Sequence, residues 1–507
     1  MRVAFLLLFV VPGGASDLID RRVAERWDAE GVRPAAVADD YEFFRRLSID
    51  LRGAIPEPAE IRSFAADRDP AKREKLVDAW LKGEAFAKHW ASRWTEDLTL
   101  HPASVQKMRD AAEGFRGWLR DAVRSNMTYD RFVRRLLTSS GPTDLDPAAG
   151  FLVMGLTNGD ESAKDVTERT ARIFLGVQVR CAECHDHPFD DWTQQDFYGL
   201  ASFFSQSRPQ GTRGAGKNGS FTGWIEDDPA RGDARFGDSR KGASVPPRYR
   251  SGGAAPLEGE SRRAAFARLL TADRQFARAA VNRHWGMLLG RGLVHPLDGF
   301  TATRKASHPE LLEELADDFA ASKFDVRRLM KSILLSKPYQ LSSKSTAPDR
   351  IFARALVAPM PPDQLFDSIL LATGVDQTPS GRGPKGAPVH PRDAFLHEFR
   401  PSFLGNDVAP PAGAEATIAQ ALWLLNSEYA GRATSAAPSF TLGRILAREQ
   451  DPAKRVEELF LCTVSRPPTA KEAAALIEGV RTKGDRAEAY EDIFWALLNS
   501  TEFVTRH

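Results

Sequence analysis

The hydrophobic positions of this chain recur mostly at helical spacing. The clearest series, with a large apolar residue at every fourth position, is Phe86, Trp90, Trp94 and Leu98. Residues spaced in this way lie on one face of an α-helix, which buries that face against a core. Long alternating runs rich in β-branched side chains, the pattern of strands, do not occur. The pattern therefore predicts a mainly α fold, with two helical domains joined by a Gly/Pro-rich linker and little β structure.

The linker is predicted from composition. Residues 207–256 are rich in Gly, Pro, Arg and Ser, and their few apolar residues are scattered. Such a segment favours a long flexible connection, here with a short hairpin near residues 221–225. It would separate a first domain at residues 17–206 from a second helical domain at residues 257–507.

The N-terminus has the pattern of a secretory signal peptide at residues 1–16. Arg2 supplies a positive charge, residues 3–11 are apolar throughout, and small residues follow Pro12. The apolar run is too short to cross a bilayer as a helix, and no later segment reaches that length. An apolar N-terminal strand or a retained anchor is the alternative. We therefore expect an exported protein, periplasmic or extracellular, with no transmembrane segment after signal removal.

Charge and composition narrow the choice of partners. The 69 basic and 68 acidic residues give a formal net charge of +1, so no basic excess points to nucleic acid or to an anionic membrane. A hydrophobic content of 42% is enough for a sizeable core. We expect a redox partner or an extracellular substrate, and no nucleic acid. Among the cysteines, Cys462 falls in an apolar segment where a buried role is expected.

The most specific motif is Cys181-Ala182-Glu183-Cys184-His185, which has the pattern C-x-x-C-H and contains two of the chain's three cysteines. This is the attachment pattern of a c-type haem. Two thiols one turn apart form thioethers to the haem vinyl groups, and the adjacent imidazole binds the iron. We therefore predict haem c at Cys181, Cys184 and His185, with His185 on the iron and Met154 as a candidate for the sixth ligand.

Two other kinds of site fit the same segment. The first is a site for zinc or another transition metal, with the ligands Cys181, Cys184 and His187 completed by Asp186, Asp190 or Asp191. The protein would then be a metal-dependent enzyme or a metal-stabilised module. The second is a disulfide or a dithiol redox pair between Cys181 and Cys184. A disulfide would suit a non-catalytic binding or scaffold protein outside the cytoplasm.

The neighbours of the motif have ordinary expected roles. Six aromatic residues follow it and either wall a haem or belong to the core, which is the expected role for most of them: Phe189, Trp192, Phe197, Tyr198, Phe203 and Phe204. The helix before the motif is expected to end near Gly176. Its charged residues Glu161, Asp165 and Glu168 are expected to form a solvated face.

Several longer motifs resemble a known family. They lie at residues 44–53, 172–177 and 181–189 in the first half of the chain, and at residues 281–285 and 307–312 in the second. In these motifs the chain resembles exported planctomycete-type proteins of uncharacterised function. Those proteins pair a cytochrome-like domain of unknown function, which carries C-x-x-C-H-D-H-P-F, with a C-terminal planctomycete-specific domain of unknown function.

The resemblance implies export and the two-domain division, and it implies haem by association. Members of the family often carry an additional cytochrome c domain near the N-terminus, but here only a short stretch separates the predicted signal from the motif at residue 44. A haem would therefore have to be attached at Cys181–His185. The resulting hypothesis is an exported c-type-haem-like redox or electron-transfer protein of uncharacterised pathway.

Overall fold

The structure is a computed structural model of the chain. It describes residues 14–99, 109–156, 162–188, 190–213, 221–237, 242–250, 253–375, 392, 395–396 and 428–507. Within these residues helix far exceeds strand, which confirms the predicted mainly α fold. Most of the predicted signal peptide (residues 1–13) and Phe189 lie outside the described residues.

The first half of the chain is a series of helices of moderate length. They are α1 (Ala15–Glu30), α2 (Asp40–Arg52), α3 (Pro58–Ala66), α4 (Lys72–Trp80), α5 (Glu84–Leu98), α6 (Arg109–Arg124), α7 (Tyr129–Thr138), α8 (Gly150–Gly155), α9 (Ser162–Thr170) and α10 (Gln194–Ala201). Their ends follow local chemistry. In α2, the Asp39 side chain accepts the backbone N–H of Glu42 at 2.8 Å, and Gly53 ends the helix with φ 79°.

The second half is again helical. Its helices are α11 (Arg262–Ala272), α12 (Arg274–Leu289), α13 (Pro309–Ala321), α14 (Val326–Leu335), α15 (Lys337–Gln340), α16 (Pro362–Thr373), α17 (Glu428–Ala433), α18 (Thr441–Arg448), α19 (Pro452–Thr463), α20 (Ala470–Thr482), α21 (Ala487–Leu498) and α22 (Thr501–Val504). No helix among the described residues combines the length and apolar composition needed to cross a membrane.

The strands are short and antiparallel. They are β1 (Gly141–Pro142), β2 (Ser207–Arg213), β3 (Phe221–Asp227), β4 (Ala234–Arg235), β5 (Ser244–Val245), β6 (Ala358–Pro359) and β7 (Thr505–Arg506). One sheet has the order β1-β3-β2, with Pro209 opposite Ile225, and the other two are the pairs β4-β5 and β6-β7.

The segment predicted as a flexible linker contains ordered structure. Strands β2 to β5 lie within it, and the apolar residues Ile225, Val245 and Tyr249 are buried. The β2–β3 pair includes residues 221–225, where the sequence indicated a hairpin. Arg263 of α11 also binds Asp227 through two nitrogens. The scattered apolar residues that suggested a loop therefore serve as separate anchors to the core.

Two hydrophobic clusters form the core, and their boundary does not follow residues 207–256. The larger cluster includes buried side chains from Ile19 to Ala353, so α11 to α14 share it with the helices of the first half. The smaller cluster runs from Met360 to Phe503 and also includes Ile49 and Ile55. Helix α2 thus contributes to both clusters, which explains why so many of its residues are buried.

A buried ionic network joins α2 to the C-terminal strand. Asp50 accepts hydrogen bonds from Arg506 Nη2 at 2.8 Å and from Tyr339 Oη at 2.7 Å. Nearby, Arg46 donates to Glu42 at 2.8 Å and to the Tyr339 carbonyl oxygen at 2.6 Å. Burial, reinforced by the Asp50 carboxylate, raises the pKa of Tyr339. These polar groups are buried with their partners, which is the condition for tolerating charge in a core.

Arg45 makes a second contact between α2 and the C-terminal helices. Its guanidinium is fully buried and donates to the carbonyl oxygens of Thr463 at 2.8 Å and Phe503 at 2.9 Å. Burial lowers the pKa of Arg45 to about 10, so the side chain still carries its charge at neutral pH. The arginines of the motif at residues 44–53 therefore have a structural role in this fold.

Candidate functional site

The C-x-x-C-H motif begins on a one-turn helix, and its two cysteines and its histidine are exposed. A π-helical turn at Ala171–Leu175 ends at Gly176, and a 3₁₀ turn at Arg180–Glu183 follows. Ala182 is fully buried, whereas Cys181 and Cys184 are exposed free thiols. Cys181 lies within the 3₁₀ turn and Cys184 caps its C-terminal end, so both thiols reach solvent while the buried Ala182 anchors the turn.

The ring of His185 is oriented by its neighbour. Its Nδ1 lies 2.8 Å from the carbonyl oxygen of Asp186, and the side chain is exposed. A proton on Nδ1 makes this contact a hydrogen bond and leaves the Nε2 lone pair free for a metal. Histidine ligands commonly have this second hydrogen bond. The sequence-predicted iron ligand is therefore accessible and has a preferred tautomer.

The candidate ligands of the alternative metal site are held by backbone groups. Asp186 Oδ1 accepts the Gln194 N–H at 2.8 Å, and Asp190 Oδ1 accepts the Ala302 N–H at 3.1 Å. The His187 N–H donates to the Trp192 carbonyl oxygen at 2.7 Å, which closes the loop after the motif. Within the described part of the chain, no group of three or more His, Cys, Asp or Glu side chains is placed to hold a metal ion.

Helix α9 holds the cysteine turn through three charged side chains. Lys164 Nζ contacts Glu183 Oε1 at 2.9 Å, and Asp165 Oδ1 accepts Arg180 Nη1 at 2.6 Å. Glu168 Oε2 accepts the Val179 N–H at 3.0 Å. The expectation of a solvated face is therefore wrong for Asp165 and Glu168, and Glu161 lies outside the described residues. The i, i+3 spacing of Asp165 and Glu168 just before the motif was the only sequence signal for their contacts with the cysteine turn. Charged residues on a solvent-facing helix have the same spacing, so the signal was ambiguous.

Glu168 has the most perturbed carboxyl group near the motif. Burial raises its pKa to about 7, and the carboxylate of Asp298 acts in the same direction. The Val179 N–H and the guanidinium groups of Arg172 and Arg180 oppose the shift but do not cancel it. The backbone just before the cysteine turn is thus tied to a carboxyl group that titrates near neutral pH.

Gly176 brings the motif segment against the second half of the chain. It has φ 69°, and its carbonyl oxygen accepts the Phe300 N–H at 3.0 Å. A β-carbon here would lie 2.6 Å from Phe300 Cδ2 and 3.2 Å from the Leu297 carbonyl oxygen. The helix ends where the sequence predicted, and the close approach to Phe300 adds a tertiary reason for glycine.

We predict that Gly176→Ala lowers the free energy of unfolding by about 2 kcal/mol, because alanine at positive φ is strained and its β-carbon clashes with Phe300. Urea denaturation measures this change. Gly117→Ala is the control, because no atom lies within 4 Å of its added β-carbon and alanine favours the interior of α6. Equal stability of the two variants would contradict the assigned role of Gly176.

The aromatic residues after the motif belong to the core. Trp192, Phe197, Tyr198, Phe203 and Phe204 are all in the larger hydrophobic cluster. Met154, the candidate sixth ligand, is also buried there, in α8. Cys181, Cys184 and His185 are exposed, so any group that they bound would lie on the solvent side of the turn.

The comparisons with known proteins identify two regions. Residues 18–209 match a family model described as a protein of unknown function (DUF1549), and residues 262–403 match another described as a protein of unknown function (DUF1553). No curated protein and no solved structure matches the chain. The first region includes the cysteine turn and α9, and the second includes α12 and Phe300. The chain is thus similar, over these two regions, to two families of unknown function.

Proposed function

We propose that this chain is an exported c-type haem protein with a redox or electron-transfer role. In this proposal Cys181 and Cys184 hold the haem through thioether bonds and His185 binds the iron. The observation that carries it is the geometry of the turn: both thiols are exposed, and the Nδ1 contact with Asp186 leaves Nε2 of His185 free. This combination suits attachment from the solvent side.

The haem, when bound, would supply one-electron chemistry, and the protein would supply position. Lys164, Asp165 and Glu168 hold the turn from behind through the contacts described above. Ala182 is packed in the core, so the thiols are presented on a supported surface. An exposed site of this kind suits exchange of electrons with a redox partner or an extracellular substrate. The signal-like residues 1–16 support a location outside the cytoplasm.

The test is a pyridine haemochrome spectrum of denatured protein made in a host that attaches c-type haem. We expect haem that survives acid–acetone extraction in the wild type and none in the Cys181→Ala/Cys184→Ala double variant. Cys462→Ala is the matched control, because this buried thiol lies in the smaller cluster and should leave attachment intact. In native protein, His185→Ala should change the visible absorption spectrum of the haem, and an unchanged native spectrum would show that a different group is the axial ligand.

The same protein distinguishes the alternatives. Haem-free protein with stoichiometric zinc or another transition metal would replace the haem proposal with the site built on Cys181, Cys184 and His187. Protein with neither group, and with Cys181 joined to Cys184, would favour a binding or scaffold role. Thiol titration and elemental analysis of the wild type, with the double variant as the control, separate these two results.

A further inference from the structure

A cleft of about 620 Å³ lies beside the loop that follows the cysteine motif. Its walls come from residues 190–192, Arg250, the first turns of α12, residues 300–302 and Arg304. Leu175 and Val177 also line it. Cys181, Cys184 and His185 are not among its lining residues. Pockets for organic ligands commonly have volumes of roughly 300–1,000 Å³, so this cleft has the size of a binding site.

The shape of the cleft is set by hydrogen bonds between its walls. Gln275 Nε2 donates to the Leu175 carbonyl oxygen at 2.7 Å, and the Ala302 N–H donates to Asp190 at 3.1 Å. The Phe300 N–H donates to Gly176 at 3.0 Å. These contacts join segments distant in sequence, so the walls are positioned before any ligand arrives, which reduces the entropy cost of binding.

Most charges in the cleft are already neutralised. Arg274 and Arg278 both contact Glu313, at 3.0 Å and 2.8 Å, and Arg250 lies 3.5 Å from Asp273. A strongly charged ligand would have to compete with these ion pairs and would meet groups of its own sign on the walls. The arrangement therefore favours a neutral ligand. Such a ligand can hydrogen-bond to these charged side chains without breaking the ion pairs between them.

Two polar side chains of the cleft have unused hydrogen-bonding capacity. Asp191 is exposed, and its carboxylate has no partner among the described residues. Arg304 is exposed, and the only described hydrogen bond of its side chain reaches the His295 carbonyl oxygen at 3.5 Å. The Asp191 carboxylate accepts hydrogen bonds and the Arg304 guanidinium donates them. This pair suits a ligand whose own groups both donate and accept. Hydroxyl groups have this property.

Apolar surface lies beneath the polar groups. The rings of Trp192 and Phe300 line the cleft together with Leu175 and Val177. Arg250 and Arg278 lie over these two rings, at 5.5 Å and 5.3 Å from the ring centres. A ligand with an apolar face and a polar edge would use both surfaces, as aromatic side chains with polar neighbours permit. A free amino acid would leave most of this volume empty.

From these features we propose that the cleft binds a neutral disaccharide. Its hydroxyl groups would hydrogen-bond to Asp191, Arg304 and the remaining donors of Arg274 and Arg278. Its C–H groups would contact the parts of Trp192 and Phe300 that Arg250 and Arg278 leave uncovered. The proposal does not depend on haem, because the motif residues take no part in it.

The experiment is isothermal titration of the full chain with cellobiose, maltose and lactose, and with glucuronate, glucosamine and glycine as charged probes. We expect at least one neutral disaccharide to bind at a single site. Asp191→Ala should weaken that binding by about tenfold, the loss of one hydrogen bond to a charged group. Asp144→Ala, which removes an exposed carboxylate outside the cleft, should leave it unchanged.

Thermal unfolding verifies that both variants are folded before the titrations are compared. Arg304→Ala provides a second test, because its exposed side chain should also be dispensable for folding. Binding of glucuronate, glucosamine or glycine in preference to the neutral sugars would overturn the proposal. The absence of binding by all three disaccharides, or equal binding by wild type and both cleft variants, would also overturn it.

Discussion

Replacement of Asp50 by alanine is expected to lower the free energy of unfolding by about 3–5 kcal/mol, because it leaves the buried guanidinium of Arg506 without its counter-ion. The hydroxyl of Tyr339 loses its acceptor in the same variant. The Arg506 side chain also donates to the Leu288 carbonyl oxygen, so it cannot leave the core without breaking a further contact. Asp50→Asn should cost less because it retains an acceptor oxygen.

Urea denaturation followed by circular dichroism measures the Asp50 effect. Asp121→Ala is the control: it breaks an ion pair with Arg124 in which both side chains are more than half exposed. Surface pairs of this kind contribute about 0–1 kcal/mol. A similarly small loss for Asp50→Ala would show that α2 and the C-terminal strand do not depend on the buried pair. A large loss of unfolding free energy in Asp50→Ala but not in Asp121→Ala would explain why α2 carries polar residues at core positions.

The second large effect expected is a pH dependence that originates at Glu168. Its pKa is about 7 in the folded protein against an ordinary value of 4.5, so the folded state binds more protons between these two pH values. Stability from this group is therefore fully present below pH 4.5 and is lost as the pH rises through 7. The pKa difference corresponds to about 3 kcal/mol.

Glu168→Gln removes this titration and retains an oxygen that can accept the Val179 N–H. The stability of the wild type relative to this variant should therefore fall by about 3 kcal/mol between pH 4 and pH 8, as measured by urea denaturation at each pH. Glu478→Gln, at a highly exposed position on α20, should give a curve parallel to the wild type. A parallel curve for Glu168→Gln would show that its carboxyl group is not held as the structure places it.

These two residues are linked to the proposed functions in different ways. Glu168 supports the backbone before the cysteine turn, so its protonation state bears on how firmly Cys181 and Cys184 are presented. Asp50 is remote in sequence from the motif and supports the packing of the C-terminal helices against α2. If the proposed haem attachment were lost in Glu168→Gln and retained in Asp50→Asn, the loss would therefore come from a local change at the cysteine turn and not from general destabilisation.

The local sequence was sufficient to predict the helices and the grouping of the candidate ligands in the motif. The spacing of Trp90 and Trp94 predicts α5, and Gly176 ends the helical segment where its left-handed conformation is tolerated. The C-x-x-C-H pattern likewise places two thiols and an imidazole within five consecutive residues. Each of these features depends on residues a few positions apart, so periodicity and residue type are sufficient to predict it.

Only the tertiary structure decided which residues the helices bury and what surrounds the motif. Asp50 and Arg506 are 456 positions apart, and nothing in either local pattern indicates that they form a buried pair. For the same reason Asp165 and Glu168 resembled a solvated face, and residues 207–256 resembled a free linker. Burial depends on the chain that packs against a residue. The sequence by itself therefore determined the helical class and the candidate ligands, whereas long-range packing decided the shared core, the support of the cysteine turn and the adjacent cleft.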